Sequence, residues 1–410
     1  MRILFYTLIY LPDLEAASRR MSGLASNLAK LGNSVDVVCG YPERINNKKR
    51  KYWFFQFFRK MKIDDVNVYN YYTIPYNRKG NIRRLLNNFS FAFSSLWHLL
   101  RLRKYDIVFV TSPPLYISGF ARFIAKVKHA QLVFDVRDIW PDIAIEMGYM
   151  HDGSFMYKTF HKLAKKMYKK ASLITTVSEM KVLKLKKQLF NYQDKIKLIS
   201  NGVDPFFKDL DDDLDFLNEF QFDKFFSTIY VGNIGKAQDL DSFLWLAKEH
   251  LNDKNMRFFL IGEGVELARI MKIIAEDGLT NVIYVGKRNM NEVKTAYKYA
   301  SLAYVSLINA NLLDSVPTKL YEALFCGCPV LLSAMGESVE VLKAANLGRA
   351  ITPGDFAGLC SSFCDIYEHY DEIIKNKEKA ITYINSNFNR VEISKKLNEE
   401  LHNILRREKI

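Results

Sequence analysis

The feature that most constrains the fold is an alternation of strand and helix patterns that runs through both halves of the chain. Short runs rich in β-branched and aromatic residues are separated by longer segments with apolar residues every three or four positions. Strands joined by helices form parallel sheets. The sequence therefore predicts an α/β protein with two Rossmann-like, doubly wound domains that face a central cleft, where ligands of open α/β sheets bind.

The two halves repeat this alternation with different element lengths. Strands in the first half are predicted at 2–9, 34–38, 107–110, 131–134 and 173–177, and helices at 16–31, 81–101, 115–127 and 155–170. In the second half, strands are predicted at 227–231, 257–261, 282–285, 302–305, 330–332 and 349–351, and helices at 241–250, 265–276, 291–300, 318–325 and 338–345. Residues 39–80 form a long irregular basic segment in this interpretation.

Chain length and one acidic stretch set the domain boundaries. A chain of 410 residues exceeds one ordinary core, and roughly 150 residues per domain gives two or three domains. The acidic stretch 209–215 is interpreted as a solvated linker. We therefore expect a first domain at 1–205, a second at 206–387, and a C-terminal helix at 388–410 that packs on either domain.

Composition favours a soluble globular protein. Hydrophobic residues make up 49% and charged residues 25% of the chain, and no run approaches the ~18 apolar residues that a membrane-spanning helix needs. The apolar start predicts a buried strand rather than a signal peptide, because Asp13 and Glu15 follow it. Of the five cysteines, Cys326 and Cys328 lie close together but match neither a zinc pair nor a redox motif. A reducing cytoplasm fits this pattern.

Charge is distributed unevenly between the halves. Residues 1–200 hold 35 Lys and Arg against 14 Asp and Glu, a net +21, whereas residues 201–410 hold 24 against 31, a net −7. The segment Asn46–Lys62 mixes cations with aromatic residues and has no acid. Such a segment suits an anionic membrane surface or single-stranded nucleic acid, or it is a loop packed on its own domain. We expect the membrane rather than nucleic acid.

The stretch Asp314–Ser333 contains the most specific candidate site. Pro317 suits the start of a helix predicted at Thr318–Phe325. Unpaired N–H groups at that helix start, together with Lys319, form an anion site of the kind that a diphosphate occupies. Glu322 lies one turn further along, where its carboxylate can accept from a ribose diol. On spacing alone, an ordinary strand–helix unit with a solvated Glu322 is equally consistent.

Four motifs in order resemble the retaining GT-B glycosyltransferases of family 4, also called glycosyltransferase group 1. They are T-T-V-S-E with I-S-N-G-V-D-P-F-F between 175 and 207, Y-V-G-N-I-G-K at 230–236, F-L-I-G-E-G at 259–264, and the paired carboxylates of 314–332. The resemblance covers nearly the whole chain. The segments 83–93 and 135–142, the latter reading D-V-R-D-I-W-P-D, resemble the branch that builds bacterial O-antigens and capsules, including fucosamine-type transferases.

This resemblance implies a function and a set of site residues. It implies a nucleotide-sugar donor, usually UDP-linked, on the second domain, and a lipid-linked (undecaprenyl-type) or polysaccharide acceptor on the first. The implied donor-binding residues are Gly232, Asn233, Gly235, Lys236, Arg288, Pro317, Thr318 and Glu322. The implied catalytic residues are Arg137, Asp138, Asp314 and Lys319, and the implied acceptor-loop residues are Glu15, Ser18 and Arg19.

Two departures from the family pattern concern the diphosphate. Asn233 and Gln238 stand where the pattern has an arginine and a lysine that grip the diphosphate. We interpret them as marks of the branch, because Lys236, Arg288 and Lys319 remain to supply positive charge. The loop glycines also suit a tight turn alone, and Arg288 also suits an exposed loop cation.

Other departures lie at the sugar and acceptor positions. Asp314 replaces the first glutamate of the paired carboxylates, Arg137-Asp138 replaces the usual His-Asp, and Ala16-Ala17 replaces a glycine pair in the first loop. Arg137 and Asp138 are expected at the end of a buried strand, where Asp138 orients the reacting sugar or the acceptor hydroxyl. A structural Arg–Asp ion pair is the alternative.

The implied reaction needs neither a carboxylate nucleophile nor a metal. Enzymes of this class usually activate the acceptor with the departing phosphate, unlike retaining glycosidases with their paired carboxylates. Leaving-group stabilisation by cations and backbone donors then supplies most of the catalysis. We expect no metal cofactor, because no cluster has metal-ligand spacing and the D-D-D at 211–213 fits a solvated linker.

Together these observations predict a cytoplasmic enzyme that is peripheral on the inner face of the cell membrane. It would transfer a sugar from a nucleotide donor, with retention, in bacterial cell-surface polysaccharide biosynthesis. Two alternatives remain open at this point: a GT-B nucleotide-sugar epimerase, and a non-catalytic subunit that binds sugar nucleotides.

Overall fold

The computed structural model describes residues 1–13, 16–42, 44–45, 48–49, 58–74, 81–101, 103–308 and 312–407. The chain divides into two compact units. The first comprises Met1–Ser200 with Arg390–Ile410, and the second comprises Asn201–Asn389. Each unit has its own mainly parallel sheet with helices between the strands. The predicted α/β class with two Rossmann-like units is therefore confirmed.

The first unit contains ten strands and six helices before residue 200 among the described residues. The strands are β1 Arg2–Tyr6, β2 Ser34–Gly40, β3 Arg44–Ile45, β4 Lys48–Lys49, β5 Phe58–Ile63, β6 Val66–Tyr71, β7 Ile107–Ser112, β8 Gln131–Val136, β9 Leu173–Thr176 and β10 Ile196–Leu198. The helices are α1 Ala16–Lys30, α2 Asn81–Arg101, α3 Leu115–Lys128, α4 Asp142–Glu146, α5 Phe155–Lys170 and α6 Glu179–Gln188.

The main sheet of this unit has the order β10-β9-β8-β7-β1-β2-β6-β5. Its neighbours pair in parallel except β5, which is antiparallel to β6 at the edge. Central strands are buried on both faces: Leu4 and Tyr6 join one core cluster, and Ile3 and Phe5 join another. This period of two is what a strand covered by helices on both sides requires.

The interpretation of residues 39–80 as irregular is wrong in part. Residues Val66–Tyr71 form β6, which pairs with β2 inside the sheet, and Phe58–Ile63 form the edge strand. The sequence V-N-V-Y-N-Y does contain the β-branched and aromatic residues typical of a strand. The strand was missed because basic residues surround it in the sequence. Some of these residues lie on the edge strand, and others lie outside the described range.

The second unit contains six strands and ten helices among the described residues. The strands are β11 Phe226–Val231, β12 Met256–Ile261, β13 Val282–Gly286, β14 Leu302–Ser306, β15 Val330–Ser333 and β16 Gly348–Ile351. The helices are α7 Phe206–Asp209, α8 Leu214–Phe220, α9 Leu240–Glu249, α10 Leu267–Glu276, α11 Met290–Tyr299, α12 Thr318–Phe325, α13 Glu337–Ala345, α14 Phe356–Glu368, α15 Tyr370–Ile374 and α16 Lys377–Phe388.

Its sheet has the order β13-β12-β11-β14-β15-β16, and all neighbours are parallel. The chain thus winds outward from β11 in one direction and then returns to β14 to wind in the other. This is the strand order of a dinucleotide-binding sheet, whose ligands bind where the order reverses. The loops that follow β11 and β14 meet at that point.

The acidic stretch before β11 is not a solvated linker. The Asp212 carboxylate accepts hydrogen bonds from Lys294 (2.6 Å), Lys298 and Tyr299 (2.9 Å). Asp213 caps the amino end of α8. Burial alone would raise the pKa of Asp212, but these donors outweigh it and lower the pKa to about 2. The stretch is therefore fastened to α11.

The last helix, α17 Arg390–Arg407, belongs to the first unit. Ile393, Leu397 and Leu401 enter the same core cluster as Ile3 and Phe5. Asn33 Nδ2 donates to Asn398 Oδ1 at 2.9 Å, which fastens the helix to the end of α1. The chain thus returns to its first unit after completing the second. None of the described helices has the length and hydrophobicity needed to span a bilayer.

Candidate functional site

Three loops of the second unit are tied together at the carboxyl ends of their strands. The Gly232 N–H, after β11, donates to Ile261 O, and the Gly262 N–H, after β12, donates to Gly286 O, each at 2.9 Å. The Ile234 N–H donates to Glu263 O, also at 2.9 Å. The loop after β11 is therefore held in place by its neighbours before any ligand binds.

Close packing of these loops requires glycine at two positions, 262 and 264, that are not among the predicted site residues. A Cβ atom at Gly262, which has φ +144°, would lie 1.8 Å from Gly232 O. A Cβ atom at Gly264 would lie 2.0 Å from Ile234 O. Both contacts are with backbone, so a side chain cannot be accommodated by rotamer changes. The F-L-I-G-E-G motif thus supports the loop of the predicted donor residues.

The predicted loop residues differ in the space around them. A Cβ atom at Gly232 would meet nothing within 4 Å, and one at Gly235 would meet the flexible end of the Asn233 side chain. Asn233 and Lys236 are exposed. The Tyr230 hydroxyl donates to Asn233 O at 2.6 Å, which fixes the turn. These residues follow the carboxyl end of β11, where the side chains of Asn233 and Lys236 are accessible to a ligand and Gly235 is buried.

Lys319 approaches the same loop from a different element. It lies in the first turn of α12, and its Nζ donates to Gln238 Oε1 at 2.5 Å. Its ammonium also lies 4.2 Å from the centroid of the Tyr230 ring. Burial lowers the pKa of Lys319 to about 7, while the Glu322 carboxylate opposes this shift. The side chain is therefore poised between its charged and neutral forms near pH 7.

The strand order of the sheet reverses between β11 and β14, next to Gln238 and Lys319. The Ser306 hydroxyl, at the end of β14, donates to Gln238 O, and the Ile308 N–H donates to Ala237 O at 3.1 Å. The loop after β11 is thus bonded to the loop after β14, which leads to α12. Gln238 and Lys319 meet where the strand order reverses. Sequence reasoning identified both residues but did not predict their contact.

The start of α12 matches the prediction in its bounds. Pro317 occupies the N-cap with φ −64°, and its side chain makes no capping hydrogen bond. Asp314 precedes it in a loop whose shape is fixed from α13: the Ser338 hydroxyl donates to Ser315 O at 2.7 Å, and the Glu337 N–H donates to Leu313 O at 2.9 Å. The structure thus brings Asp314, Thr318, Lys319 and Glu322 to one helix start.

Arg288 is engaged within its own surroundings. Its Nη1 donates to Glu292 Oε1 at 3.1 Å, and its Nε donates to Val285 O at 3.1 Å. The guanidinium also lies 5.2 Å from the ring centroids of both Phe216 and Phe220. These contacts give Arg288 a packing role, and a donor-binding role stays a prediction.

In the first unit, Arg137 and Asp138 follow β8 as predicted, but they do not form the ion pair considered as an alternative. The Arg137 side chain donates from Nε to Thr111 Oγ1 (3.0 Å) and from Nη2 to Pro113 O (2.9 Å). Within the described part of the chain, the Asp138 carboxylate makes no hydrogen bond or ion pair. Asp138 is only half-buried, so its carboxylate is accessible at the carboxyl end of β8.

A buried ion pair on the strand that precedes Arg137 and Asp138 was not predicted from the sequence. Arg20 donates from Nη2 to Asp135 Oδ1 at 2.8 Å and from Nε to Oδ2 at 3.2 Å. The Thr111 and Thr175 hydroxyls donate to the same carboxylate. Burial raises the pKa of Asp135, but Arg20 and Thr175 outweigh it, so the pKa lies below its usual value. Arg20 also donates to Ile199 O, which fastens α1 to the sheet.

Two of the predicted acceptor-loop residues, Ser18 and Arg19, lie in the first turn of α1. Ser18 is fully buried, and its hydroxyl has no hydrogen-bond partner among the described residues. The Arg19 carbonyl accepts from Arg390 Nη1 at 3.2 Å, which links α1 to α17. Glu15 lies outside the described residues. The structure therefore gives Ser18 a place inside the unit rather than on a loop surface.

Comparison with known proteins identifies both units. Residues 17–206 match the model of Glycosyltransferase Family 4, and residues 214–380 match the model of Glycosyl transferases group 1. A curated relative, the putative colanic acid biosynthesis glycosyl transferase WcaI of Escherichia coli K12, is 22% identical over 350 residues. That alignment covers 82% of this chain and 83% of WcaI.

Solved structures share the whole fold. HepE of Anabaena in complex with UDP-glucose has a TM-score of 0.73 at 15% identity, with 98% of this chain and 100% of HepE covered. WaaG, a glycosyltransferase involved in lipopolysaccharide biosynthesis, has a TM-score of 0.70 at 14% identity, with 97% and 99% covered. The chain therefore consists of a family 4 glycosyltransferase domain followed by a group 1 glycosyl transferase domain, and it has the GT-B fold.

Proposed function

We propose that this protein transfers a sugar from a nucleotide donor, a UDP-sugar, to a lipid-linked or polysaccharide acceptor with retention of anomeric configuration. The observation that carries this proposal is the contact between Lys319 and Gln238 at the switch point of the second sheet. A cation there lies beside the glycine loop that follows β11, an arrangement suited to a diphosphate. HepE, which has the same fold, binds UDP-glucose.

Each residue at the start of α12 then has a separate task. The Lys319 ammonium and the N–H groups of the helix start stabilise the departing diphosphate, which is the main electrostatic demand of the reaction. Glu322 accepts hydrogen bonds from the ribose hydroxyls. Asp314, in the preceding loop, accepts from hydroxyls of the transferred sugar and discriminates between sugars.

The acceptor is assigned to the first unit. Asp138 presents a carboxylate free of bonds to the described residues, so it can orient an acceptor hydroxyl or the reacting sugar. Arg137, already bonded to Thr111, holds the loop around it. The departing phosphate takes the acceptor proton, so no covalent enzyme intermediate and no metal are needed. Loss of transfer in EDTA that magnesium or manganese restores would contradict the metal-independent route.

The biological setting we propose is bacterial cell-surface polysaccharide synthesis, in the O-antigen and capsule branch that includes fucosamine-type transferases. WcaI is named for colanic acid biosynthesis and WaaG for lipopolysaccharide biosynthesis, which supports this setting. The lipid-linked acceptor proposed above would be held at a membrane. We therefore place the enzyme on the inner face of the cell membrane.

A surface of the first unit supports this location. Helix α5 carries exposed lysines along its length and no acid, and it begins with two exposed apolar residues, Phe155 and Met156. Helix α3, which packs against α5, exposes Phe123 and Val127. Apolar side chains beside lysines suit the headgroup layer of an anionic membrane. Most of the earlier membrane candidate, Asn46–Lys62, lies outside the described residues.

Two measurements test the location. The protein should sediment with phosphatidylserine vesicles and much less with phosphatidylcholine vesicles, and added salt should release it. The charge-reversal variant Lys165→Glu/Lys166→Glu should lose this sedimentation while it still binds UDP. Equal sedimentation of the variant and the unaltered protein would remove α5 from the membrane proposal.

The reaction itself is tested with a panel of UDP-sugars and an undecaprenyl-diphosphate-linked saccharide. The expected result is acceptor-dependent UDP release and a product whose new linkage, by NMR, keeps the donor's anomeric configuration. Epimerised donor without acceptor would instead indicate an epimerase. Tight UDP-sugar binding with no turnover on any acceptor would indicate a binding subunit.

A further inference from the structure

A second cluster of chemically reactive side chains lies in the second unit, away from the loops described above. One ligand atom each of His250, Cys360 and Cys364 lies within 4.8 Å of the other two. His250 caps the carboxyl end of α9, and the two cysteines are one turn apart on α14. The fold thus brings together one imidazole and two thiols from two helices.

The imidazole ring packs against one aromatic ring, and the backbone that carries it is fixed by hydrogen bonds. Its ring lies 4.7 Å, centroid to centroid, from the ring of Phe363. The buried Asn281 donates from Nδ2 to the His250 carbonyl (3.3 Å) and to Ala247 O (2.7 Å), which fixes the end of α9. The Nε2 atom of His250 is shielded from solvent and has no hydrogen-bond partner among the described residues.

Acidic residues lie around the cluster: Asp253 and Glu249 interact electrostatically with His250, and Glu368 interacts with Cys364. Negative charge beside an imidazole and two thiols favours a bound divalent cation.

We propose that His250, Cys360 and Cys364 form a binding site for Zn²⁺. Zinc binds sulfur at ~2.3 Å and nitrogen at ~2.0–2.1 Å, so tetrahedral ligand atoms lie about 3.5–3.8 Å apart, and binding would bring those here closer by at most about 1 Å. On binding, each thiol releases its proton to solvent and becomes a thiolate ligand, while neutral His250 contributes a nitrogen lone pair. A water molecule takes the remaining tetrahedral position.

The position of the site indicates what the ion does. Helix α9 runs from the loop that contains Gln238 to His250, and ten helical residues span about 15 Å. The cluster is therefore one helix length from the Lys319–Gln238 contact. Zinc at this end would fasten α9 to α14 and stabilise the second unit, and it would take no part in the transfer reaction proposed above.

The test uses the full-length protein purified in reductant and freed of metal. Zinc should bind at one ion per chain in competition with a chromogenic chelator and should raise the melting temperature. Cobalt should give thiolate-to-cobalt charge-transfer absorption. His250→Gln, Cys360→Ser and Cys364→Ser should each weaken zinc binding by at least about tenfold, which is the size of loss that even outer-shell changes cause.

The control is Cys326→Ser, which removes a thiol elsewhere in the same unit and should leave the zinc stoichiometry at one. No charge-transfer absorption in the unaltered protein would overturn the site, and this measurement does not depend on any variant folding. Zinc affinity that survives the double change Cys360→Ser/Cys364→Ser, or the single change His250→Gln, in folded protein would also overturn it.

Discussion

The proton on Lys319 should control donor affinity. The pKa of Lys319 is about 7 without ligand, because burial penalises the charged form. A diphosphate stabilises that form, so binding should favour the protonated protein. If only the ammonium form binds, the apparent dissociation constant rises by the factor 1 + 10^(pH − 7), which is about tenfold at pH 8 and about 100-fold at pH 9.

Titration calorimetry with UDP-glucose from pH 6 to 9, without acceptor, measures this dependence. A UDP-sugar is preferred to UDP because both of its phosphates are esterified, so the ligand has no titrating phosphate in this range. The variant Lys319→Gln should bind more weakly at pH 6, by about 1.5–3 kcal/mol for a lost charged hydrogen bond. Its affinity should hardly change with pH.

A swap of the two side chains sharpens the test. Since Lys319 Nζ lies 2.5 Å from Gln238 Oε1, the double variant Gln238→Lys/Lys319→Gln returns an ammonium to nearly the same place. It should recover most of the affinity that Lys319→Gln loses. A flat pH profile for the unaltered protein, or equal affinity in Lys319→Gln, would refute the assignment of Lys319 to the diphosphate.

Three further predictions concern other residues. Asp138→Asn should lower turnover at least about 100-fold yet change the free energy of unfolding by less than about 0.5 kcal/mol, because the carboxylate has no bonds to the described residues; urea unfolding and UDP release measure both. Asp135→Asn should lower the free energy of unfolding by about 3–5 kcal/mol, because it leaves the buried Arg20 charge without its carboxylate partner. As a control, Glu392→Gln at an exposed ion pair should lower it by at most about 1 kcal/mol. Because the pKa of Asp212 is lowered in the folded protein, the ionised carboxylate contributes about 1–2 kcal/mol to the free energy of unfolding above pH ~4, and this contribution is lost as the pH falls toward 2. In Asp212→Asn, the acid-induced loss of stability should be smaller by that amount.

The fold of the second unit was predictable because its strands are short, apolar and separated by regular helices. The bounds of α12 follow from Pro317 and Gly327, which mark its two ends in the sequence. Helices α14 to α16 were missed because polar and apolar residues are mixed in their sequences. They also follow the last predicted strand, so the alternation of strands and helices no longer indicates them. In the first unit, β6 was missed because its neighbours are basic and polar, although its own residues favour a strand.

The candidate site was predictable residue by residue but not as a set of contacts. Motif spacing identified Lys319 and Gln238 separately, 81 positions apart, and only the sheet order brings them together. Gly262 and Gly264 could have been identified, since a glycine-rich turn after a buried strand often marks close backbone approach. The pair Cys360 and Cys364 had a visible signal in its spacing of four, but the partnership with His250 depends on packing between two helices.

The contact between Lys319 and Gln238 also explains one departure from the family pattern. A lysine at 238 would put a second ammonium within a few ångströms of Lys319, and two such charges about 4 Å apart repel by about 1–4 kcal/mol near a protein surface. A neutral acceptor at 238 removes this repulsion and holds the remaining ammonium in place. Arg288, by contrast, is occupied by Glu292, so the arginine replaced by Asn233 has no comparable substitute there. Of the three cations named for the diphosphate, Lys319 is the one bonded to the loop after β11, whereas Lys236 is exposed. We therefore expect donor binding to depend on the protonation of Lys319.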